Sequence, residues 1–353
     1  MARSYAGPQS PCGDNMLKYI TQRLLLLIPT LLGVLTIVFF MTALSPGDPA
    51  RVMLGERANA AQLEKLREEL GLNKPLGEQY IIYLKNSIRL DFGRSIKSGR
   101  PVMEEIGEHF PATVELALVA MLLSTVLGIL IGVISAVKQN TWLDYSAMVG
   151  ALVGVSMPVF WLGLVLIMIF SVALGWFPTG GRMEVRLFFE PITRIFLIDG
   201  FILWFREGNP AYLKSALEHI VLPAIALGTI PLAIIARTTR SSMLETMHQD
   251  YVKTARAAGI PEHRVIFRYA LKNALLPIIT VVGIQFGLLL AGAILTETIF
   301  AWPGIGRWIY TAISARDYPA IQAGVIVVSA VFVGINVIVD ILYSVVNPKI
   351  RLQ

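Results

Sequence analysis

Few side chains in this chain could carry out covalent or metal chemistry, and their spacing argues against it. Its 353 residues hold four histidines, His109, His219, His248 and His263, scattered far apart, and a single cysteine, Cys12. No HExxH pair and no second cysteine accompany them, so neither a metal site nor an internal disulfide is expected. There is no Gly-Lys pair anywhere, which removes the GxxxxGK[ST] phosphate loop and with it the usual way of cradling ATP. What the sequence does offer is charge in unusual surroundings. Glu115 and Asp340 lie within long apolar runs, where a carboxylate either finds a partner or marks a transport path. Glu115 stands close to the start of its run, where a positive helix end would make it affordable. Asp340 has Asn336 and Ser344 at helical neighbour positions, which favours a satisfied carboxylate between helices over a proton relay. Arg264, Arg268 and Lys272 repeat every four residues and would form one charged stripe. Any energy this chain uses must come from another molecule.

The elements that position these residues follow from apolar run lengths. With 55% hydrophobic and 15% charged residues, the composition is that of a membrane protein. Six runs, Leu24 to Leu44, Leu116 to Val137, Tyr145 to Gly181, Ile220 to Ala236, Asn273 to Thr296 and Tyr318 to Val339, reach the roughly 17 to 25 residues that a helix needs to cross hydrocarbon. The expectation is an all-α integral membrane protein with six transmembrane helices and both termini on one side. Basic residues outnumber acids at the termini and in 237–277, whereas the other connections balance, so the termini and 237–277 are expected in the cytoplasm. The net charge of +6 is spread along these loops and forms no single stripe that would suit nucleic acid. Residues 1–15 read as a disordered tail, and residues 16–353 as the membrane domain. Pro29 and Pro111 are expected in the first turns of spans one and two. Pro158 should kink span three, whose Gly150, Gly154 and Gly163 suit close packing, and Pro223 and Pro231 should make span four irregular.

Two extracytoplasmic regions stand out. The first, 45–111, holds two amphipathic stretches, Ala60 to Leu70 with Leu63, Leu66 and Leu70, and Pro75 to Leu90 with Tyr80, Ile81, Leu84 and Ile88; Gly71 is the natural cap between them. The second, 177–219, contains the apolar run Ile195 to Phe205, too short to span a bilayer, which predicts a helix tucked against the outer mouth with Phe201 and Trp204 on it.

The segment 237–277 organises the rest. Tyr251 to Ala258 (YVKTARAA) combines helix formers with small side chains, and Asp250 is placed to cap it. Gly259 sits where a helix would end left-handed, and Pro261 with Glu262 suits the start of a second helix. On that second helix Val265, Ile266, Tyr269 and Ala270 share one face. Ala255, Ala257 and Ala258 leave the first helix bare enough for another protein to approach, although a merely basic cytoplasmic loop would also be charged here.

The stretch TARAAGIPEHRVIFRYALKNALLP resembles the EAA coupling loop of ABC-importer permeases, in the version carried by the dipeptide, oligopeptide and nickel importer family. Lys253 stands where the general pattern has glutamate, and Leu276 and Pro277 close the loop late; both departures favour the peptide branch. LGLNKPLGEQY, LDFGRS, GVSMPVFWLGLVL, TETIFAWPGIGRWIY and the terminal NPKIR are similar to other stretches of the same family, so that the resemblance runs from Met16 to the end. It implies a type I ABC importer permease fold in a prokaryotic inner membrane. It also implies a second homologous permease, two ATP-binding subunits that hold ATP and Mg, an extracytoplasmic solute-binding protein and a di- or oligopeptide substrate, with no cofactor in this chain. Nickel or an oligosaccharide would use the same scaffold. The residues expected to couple to the ATPase are Tyr251, Thr254, Ala255, Arg256, Ala257, Ala258, Gly259 and Arg264. Those expected to capture substrate at the outer mouth are Glu115, Phe201, Trp204, Trp302 and Arg307. A proton-coupled secondary carrier would more often show further spans with an internal repeat, and a channel would need no docking helix.

Overall fold

A computed structural model describes residues 14–44, 49–54, 59–69, 71–187, 189–291 and 293–346. Among them the regular elements are all helical. In chain order they are α1 (Asp14–Ala43), α2 (Pro49–Leu54), α3 (Ala60–Glu69), α4 (Leu76–Ile88), α5 (Val102–Val137), α6 (Trp142–Ser156) and α7 (Val159–Leu166), which runs on as a π-helix over Ile167–Ala173. There follow α8 (Phe196–Glu207), α9 (Ala211–Met247), α10 (Asp250–Ala257) and α11 (Glu262–Arg264), the last continuing as a π-helix over Val265–Leu271. The chain ends in α12 (Lys272–Ala291), α13 (Ile294–Ile299), α14 (Ile305–Ser314) and α15 (Tyr318–Val346). Cys12 and the NPKIR tail fall outside the described residues, as does the Asp340 side chain.

Five stretches are long and apolar enough to cross a membrane, and α6 with α7 makes a sixth that is bent by 104°. The expected kink at Pro158 is therefore a full break. Met157 and Pro158 are both extended, as the residue before a proline prefers and as a residue without an amide hydrogen allows. The contacts show one crossing in two pieces. Asp144 at the start of α6 meets Arg240, a Cβ on Gly154 would touch Thr229 at 2.9 Å, and Leu166, Ile167 and Phe170 pack on a cluster containing Leu222 and Ala226. The chain thus passes along α9 from one end to the other.

The expectations for four prolines are corrected. Pro29 and Pro111 lie inside α1 and α5, because both helices begin before their apolar runs do. Pro223 and Pro231 lie inside a continuous α9, which is packed by α5, α6, α8 and α12 and does not break at either. Around α9, packing outweighs the missing amide hydrogens.

The core is the contact between α5 and α9. Ser124, Gly128 and Gly132, one turn apart on α5, face Gly228, Ile235 and Thr239 on α9. Ser124 Oγ donates to Gly228 O at 2.7 Å, and a Cβ on Gly132 would stand 2.6 Å from Ala236 O. Such small residues let two backbones close up where lipid gives leucine no advantage over its own kind. One end of the pair is locked by Asp144, which accepts a forked pair from Arg240 (2.6 and 2.7 Å) together with the Ser135 hydroxyl (2.6 Å).

Within 45–111, the two amphipathic stretches form α3 and α4. Gly71 is left-handed (φ 68°) and closes α3. On α4, however, Tyr80 and Tyr83 face Phe39 of α1 (ring centroids 5.2 and 5.4 Å), while Ile81 and Ile88 are exposed. The Tyr80 and Thr36 hydroxyls share a 2.6 Å hydrogen bond, which gives α1 the polar anchor that turns the tyrosines inward.

Replacing Gly132 by Leu should therefore lower thermal stability far more than replacing Gly150, which has nothing within 4 Å. Overpacking costs about 1 to 3 kcal/mol, and parallel melting curves in detergent give the comparison.

Candidate functional site

Two sites lie at opposite ends of the bundle. At one end α10 and α11 form a small knob with its own core, in which Val252, Ala255 and Val265 pack with Ile260 and Tyr269. Gly259 is left-handed (φ 73°), as the sequence predicts, and a Cβ there would meet nothing within 4 Å, so only its backbone demands glycine. Ile260 N then donates to Ala255 O, folding α11 back on α10. Tyr251, Thr254, Arg256, Ala257, Ala258 and Arg264 are exposed. Ala255 is not, being 5% exposed; it stands one turn from Val252 and belongs to the knob's own core. Asp250 does not cap α10 either. Gln249 precedes the helix, and Asp250 pairs with Lys253 at 2.9 Å, an ammonium contact that holds the carboxyl below its usual range. Arg256 forks onto Glu262, bracing the turn. Val265, Ile266, Tyr269 and Ala270 face inward together, while Arg264, Arg268 and Lys272 lie on the more open side of the same helix. From there the π-helix runs into α12 without a gap.

At the other end, the first half of α5 carries a column of polar contacts. Trp308 Nε1 donates to Glu105 (3.0 Å), His109 Nδ1 shares a hydrogen bond with Pro303 O (2.9 Å), and Trp302 Nε1 donates to Ala112 O (2.8 Å). Thr113 donates to Glu297 (2.5 Å) and accepts from Ile305 N (2.8 Å). One turn of the segment 297–308 after another is thereby pinned to α5.

Sequence reasoning missed Glu297, the centre of this column. It is fully buried and also accepts from Arg307 N at 2.8 Å. Burial raises its carboxyl above the usual range against the pull of these donors. A Cβ on Gly304 would collide with the Glu297 carboxylate, and one on Gly306 would stand 3.0 Å from it, so the Pro-Gly-Ile-Gly turn is shaped around this acid. The only sequence signal was an acid immediately following an apolar run.

Glu115 and Trp302, expected to be open at the outer mouth, are both buried. Glu115 is 2% exposed, well inside α5, accepts from Arg182 Nε (2.7 Å) and from Leu197 N (2.6 Å) at the start of α8, and is not at a helix end. Arg182 in turn lies 3.9 Å over the Phe196 ring and donates to Arg194 O. Trp302 is 1% exposed. Glu115 ties α5 to Arg182 and to the start of α8, and Trp302 ties the 297–308 segment to α5. Arg307 contributes its backbone amide and a half-buried side chain. Phe201 and Trp204 are 50% and 42% exposed on α8, which packs on α9.

The comparisons with known proteins agree with this architecture. A family described as "Binding-protein-dependent transport system inner membrane component" matches residues 128–352, and its N-terminal companion matches 16–117. A di/tripeptide transport system permease protein, DppB, of Pseudomonas aeruginosa is 50% identical over 339 residues, covering 96% of this chain and all of the relative. The dipeptide permease proteins DppB of Alkalihalophilus pseudofirmus and Escherichia coli K12 are 49% and 48% identical, each covering 95% of this chain and 100% and 99% of the relative. The chain belongs to the family of binding-protein-dependent transport system inner membrane components. It is an all-α, multi-pass membrane permease.

Truncating Glu115 to Ala leaves the Arg182 guanidinium buried without its counter-ion and should cost about 3 to 5 kcal/mol, whereas Glu115→Leu combined with Arg182→Leu should cost clearly less. Melting temperatures of Glu115→Leu, Arg182→Leu and the double variant test this, and additive losses would show the pair to be uncoupled.

Proposed function

We propose that this chain is one of two homologous permease subunits of an ATP-driven importer of di- and oligopeptides, each forming half of the translocation path. ATP and Mg bind to two partner ATPase subunits, and this chain supplies no cofactor of its own. The knob faces the cytoplasm and docks on an ATPase subunit; the end carrying α8, α13 and α14 faces an extracytoplasmic solute-binding protein. The peptide assignment is supported by relatives of about half identity along the whole chain that are named for di- and tripeptide transport.

The observation that carries the coupling role is the exposed face of Tyr251, Thr254, Ala257 and Ala258 on a knob with its own packed core. Small side chains admit a partner's groove, and a packed core moves as a body. Closure of the ATPase pair would shift the knob, and the knob passes that shift to α9 on one side and to α12 on the other. Arg256, braced by Glu262, and Gly259 hold the angle of the knob; Arg264 adds an exposed charge. At the opposite end, Phe201, Trp204 and Arg307 are the candidates for meeting the binding protein or its peptide.

Two measurements test this reading. Ala257→Trp overpacks the contact by about 1 to 3 kcal/mol and should reduce co-purification of the ATPase. Gly259→Val adds strain of about 1 to 2 kcal/mol and should keep some association while uncoupling hydrolysis from uptake in liposomes. Arg264→Ala should do less, since exposed pairs contribute about 0 to 1 kcal/mol. Full association and coupling in both of the first two variants would leave the segment a basic loop. Orientation is read from single cysteines placed at Ala60 or Ala257 in a background lacking Cys12. In intact cells an impermeant thiol reagent should reach Ala60→Cys but not Ala257→Cys, and the opposite pattern would invert the topology.

A further inference from the structure

Helix α4 has more apolar surface than the bundle covers. At about 100° per residue, Tyr83, Leu76, Tyr80, Leu84, Ile88 and Ile81 fall on one broad arc, whereas Glu78, Lys85 and the closing Arg89 fall on the opposite side. Tyr80 and Tyr83, on one edge of the arc, face Phe39 of α1. On the other edge Ile81 and Ile88 are 65% and 79% exposed. Glu78, Lys85 and Arg89 are exposed as well. An apolar arc faced by a set of charges is the pattern of a helix that lies in the boundary between hydrocarbon and water.

The depth of α4 says what meets its open edge. Between Arg23 and Asp48 the chain carries no charge, and its run Leu24 to Leu44 is about 30 Å long as a helix. The hydrocarbon is about as thick, so α1 has no length to spare and cannot stand out of the bilayer. Thr36 lies about 10 Å along the axis from Ala43, where this span ends. The same border is marked by α15, whose apolar run begins at Tyr318 and whose Gln322 Nε2 donates to Thr42 Oγ1 at 2.7 Å. Tyr80 nevertheless reaches Thr36. Because the Thr36 hydroxyl donates to Leu32 O (2.7 Å), the Tyr80 hydroxyl is the donor in their 2.6 Å contact, and both groups are satisfied where no water would serve them. A tyrosine side chain is shorter than that depth, so the backbone of α4 must itself lie at the border or below it. Phe40 stacks on the Tyr80 ring (centroids 6.3 Å apart) and is itself 43% exposed, so that the open apolar surface of α1 runs on to α4.

We infer that α4 is an interfacial helix seated in the leaflet at the C-terminal end of α1, with Ile81 and Ile88 against acyl chains and Glu78, Lys85 and Arg89 among the headgroups. The insertion is then anchored in the bilayer and not carried in water above it. This seating follows from depth and holds whichever side of the membrane is the cytoplasm.

Spin labels on single cysteines test it, in the full chain without Cys12 reconstituted in liposomes. Collisions with oxygen, which concentrates in hydrocarbon, are compared with collisions with a water-soluble nickel chelate. The positions are Ile81→Cys and Ile88→Cys, with Ile37→Cys on α1 as the lipid reference, Ala60→Cys on α3 as the aqueous one and Lys85→Cys on the charged side of α4. Ile37 and Ala60 are both exposed, so neither label disturbs packing. Oxygen collisions should exceed chelate collisions at Ile81 and Ile88 as they do at Ile37, and the ratio should fall at Lys85 toward that of Ala60. Chelate dominance at Ile81 and Ile88 would place α4 in water. Few collisions with either reagent would show a protein surface over it, from a second copy or another permease. A ratio at Lys85 equal to that at Ile81 would leave α4 with no face turned to lipid. Each of these three results overturns the assignment.

Discussion

A bilayer removes the usual reason for helices to associate, because lipid tails solvate leucine as well as another helix does. The structure therefore depends on how closely α5 and α9 approach. Ser124, Gly128 and Gly132 bring α5 near enough to α9 for the Ser124 hydroxyl to reach a carbonyl across the interface. The stability of that contact comes from dispersion and hydrogen bonding between closely set backbones, and one added methyl at Gly132 would meet Ala236 O at 2.6 Å. Several elements are arranged around this pair: α6 and α7 lie along α9, α8 packs on its far end, and α12 contacts both helices, while α1 packs on α15 and α4 instead.

Polar partners finish what close packing begins. Asp144 gathers Arg240, Ser135 and Asn140 N at one end, and Glu115 gathers Arg182 and Leu197 N at the other. Each is a buried carboxylate that would be costly alone and is tolerable because several donors converge on it. Asp317 does the same between the insertion and α15, accepting from Ser95 (2.5 Å), Lys97 N and Ala320 N. These pairings set geometry more than stability, since a buried ion pair rarely outweighs an apolar replacement by much.

Much of this fold was legible in the sequence because spans, amphipathic stretches and left-handed glycines are local properties. Run length located the membrane crossings, and Gly71 and Gly259 take the predicted conformation. What escaped was partnership. Pro223 and Pro231 looked like breaks because nothing local shows that neighbouring helices surround α9. Ala255 looked open because Val252 and Val265 meet it only once the knob is folded. Glu115 and Trp302 have the residue types of a binding site, yet their partners, Arg182 and Ala112 O, come from distant segments. The need for glycine at 304 exists only because Glu297 fills the space beside it.

The same contacts decide how motion can travel. With Asp144 and Arg240 locked at one end, Ser124 against Gly228 in the middle and Glu115 tied through Arg182 to the start of α8 at the other, α5 and α9 have little freedom to slide past one another. α5 and α9 are therefore joined near both ends and in the middle. The parts able to yield are those where regular α-helical winding fails: the break at Pro158 and the π-helical stretches Ile167–Ala173 and Val265–Leu271. One π-helix joins the knob to α12 and the other lies beside the mouth against α9. Any relative movement of the two ends would have to be taken up at these irregular joints, because the α5–α9 contact between them is closely packed and pinned by hydrogen bonds.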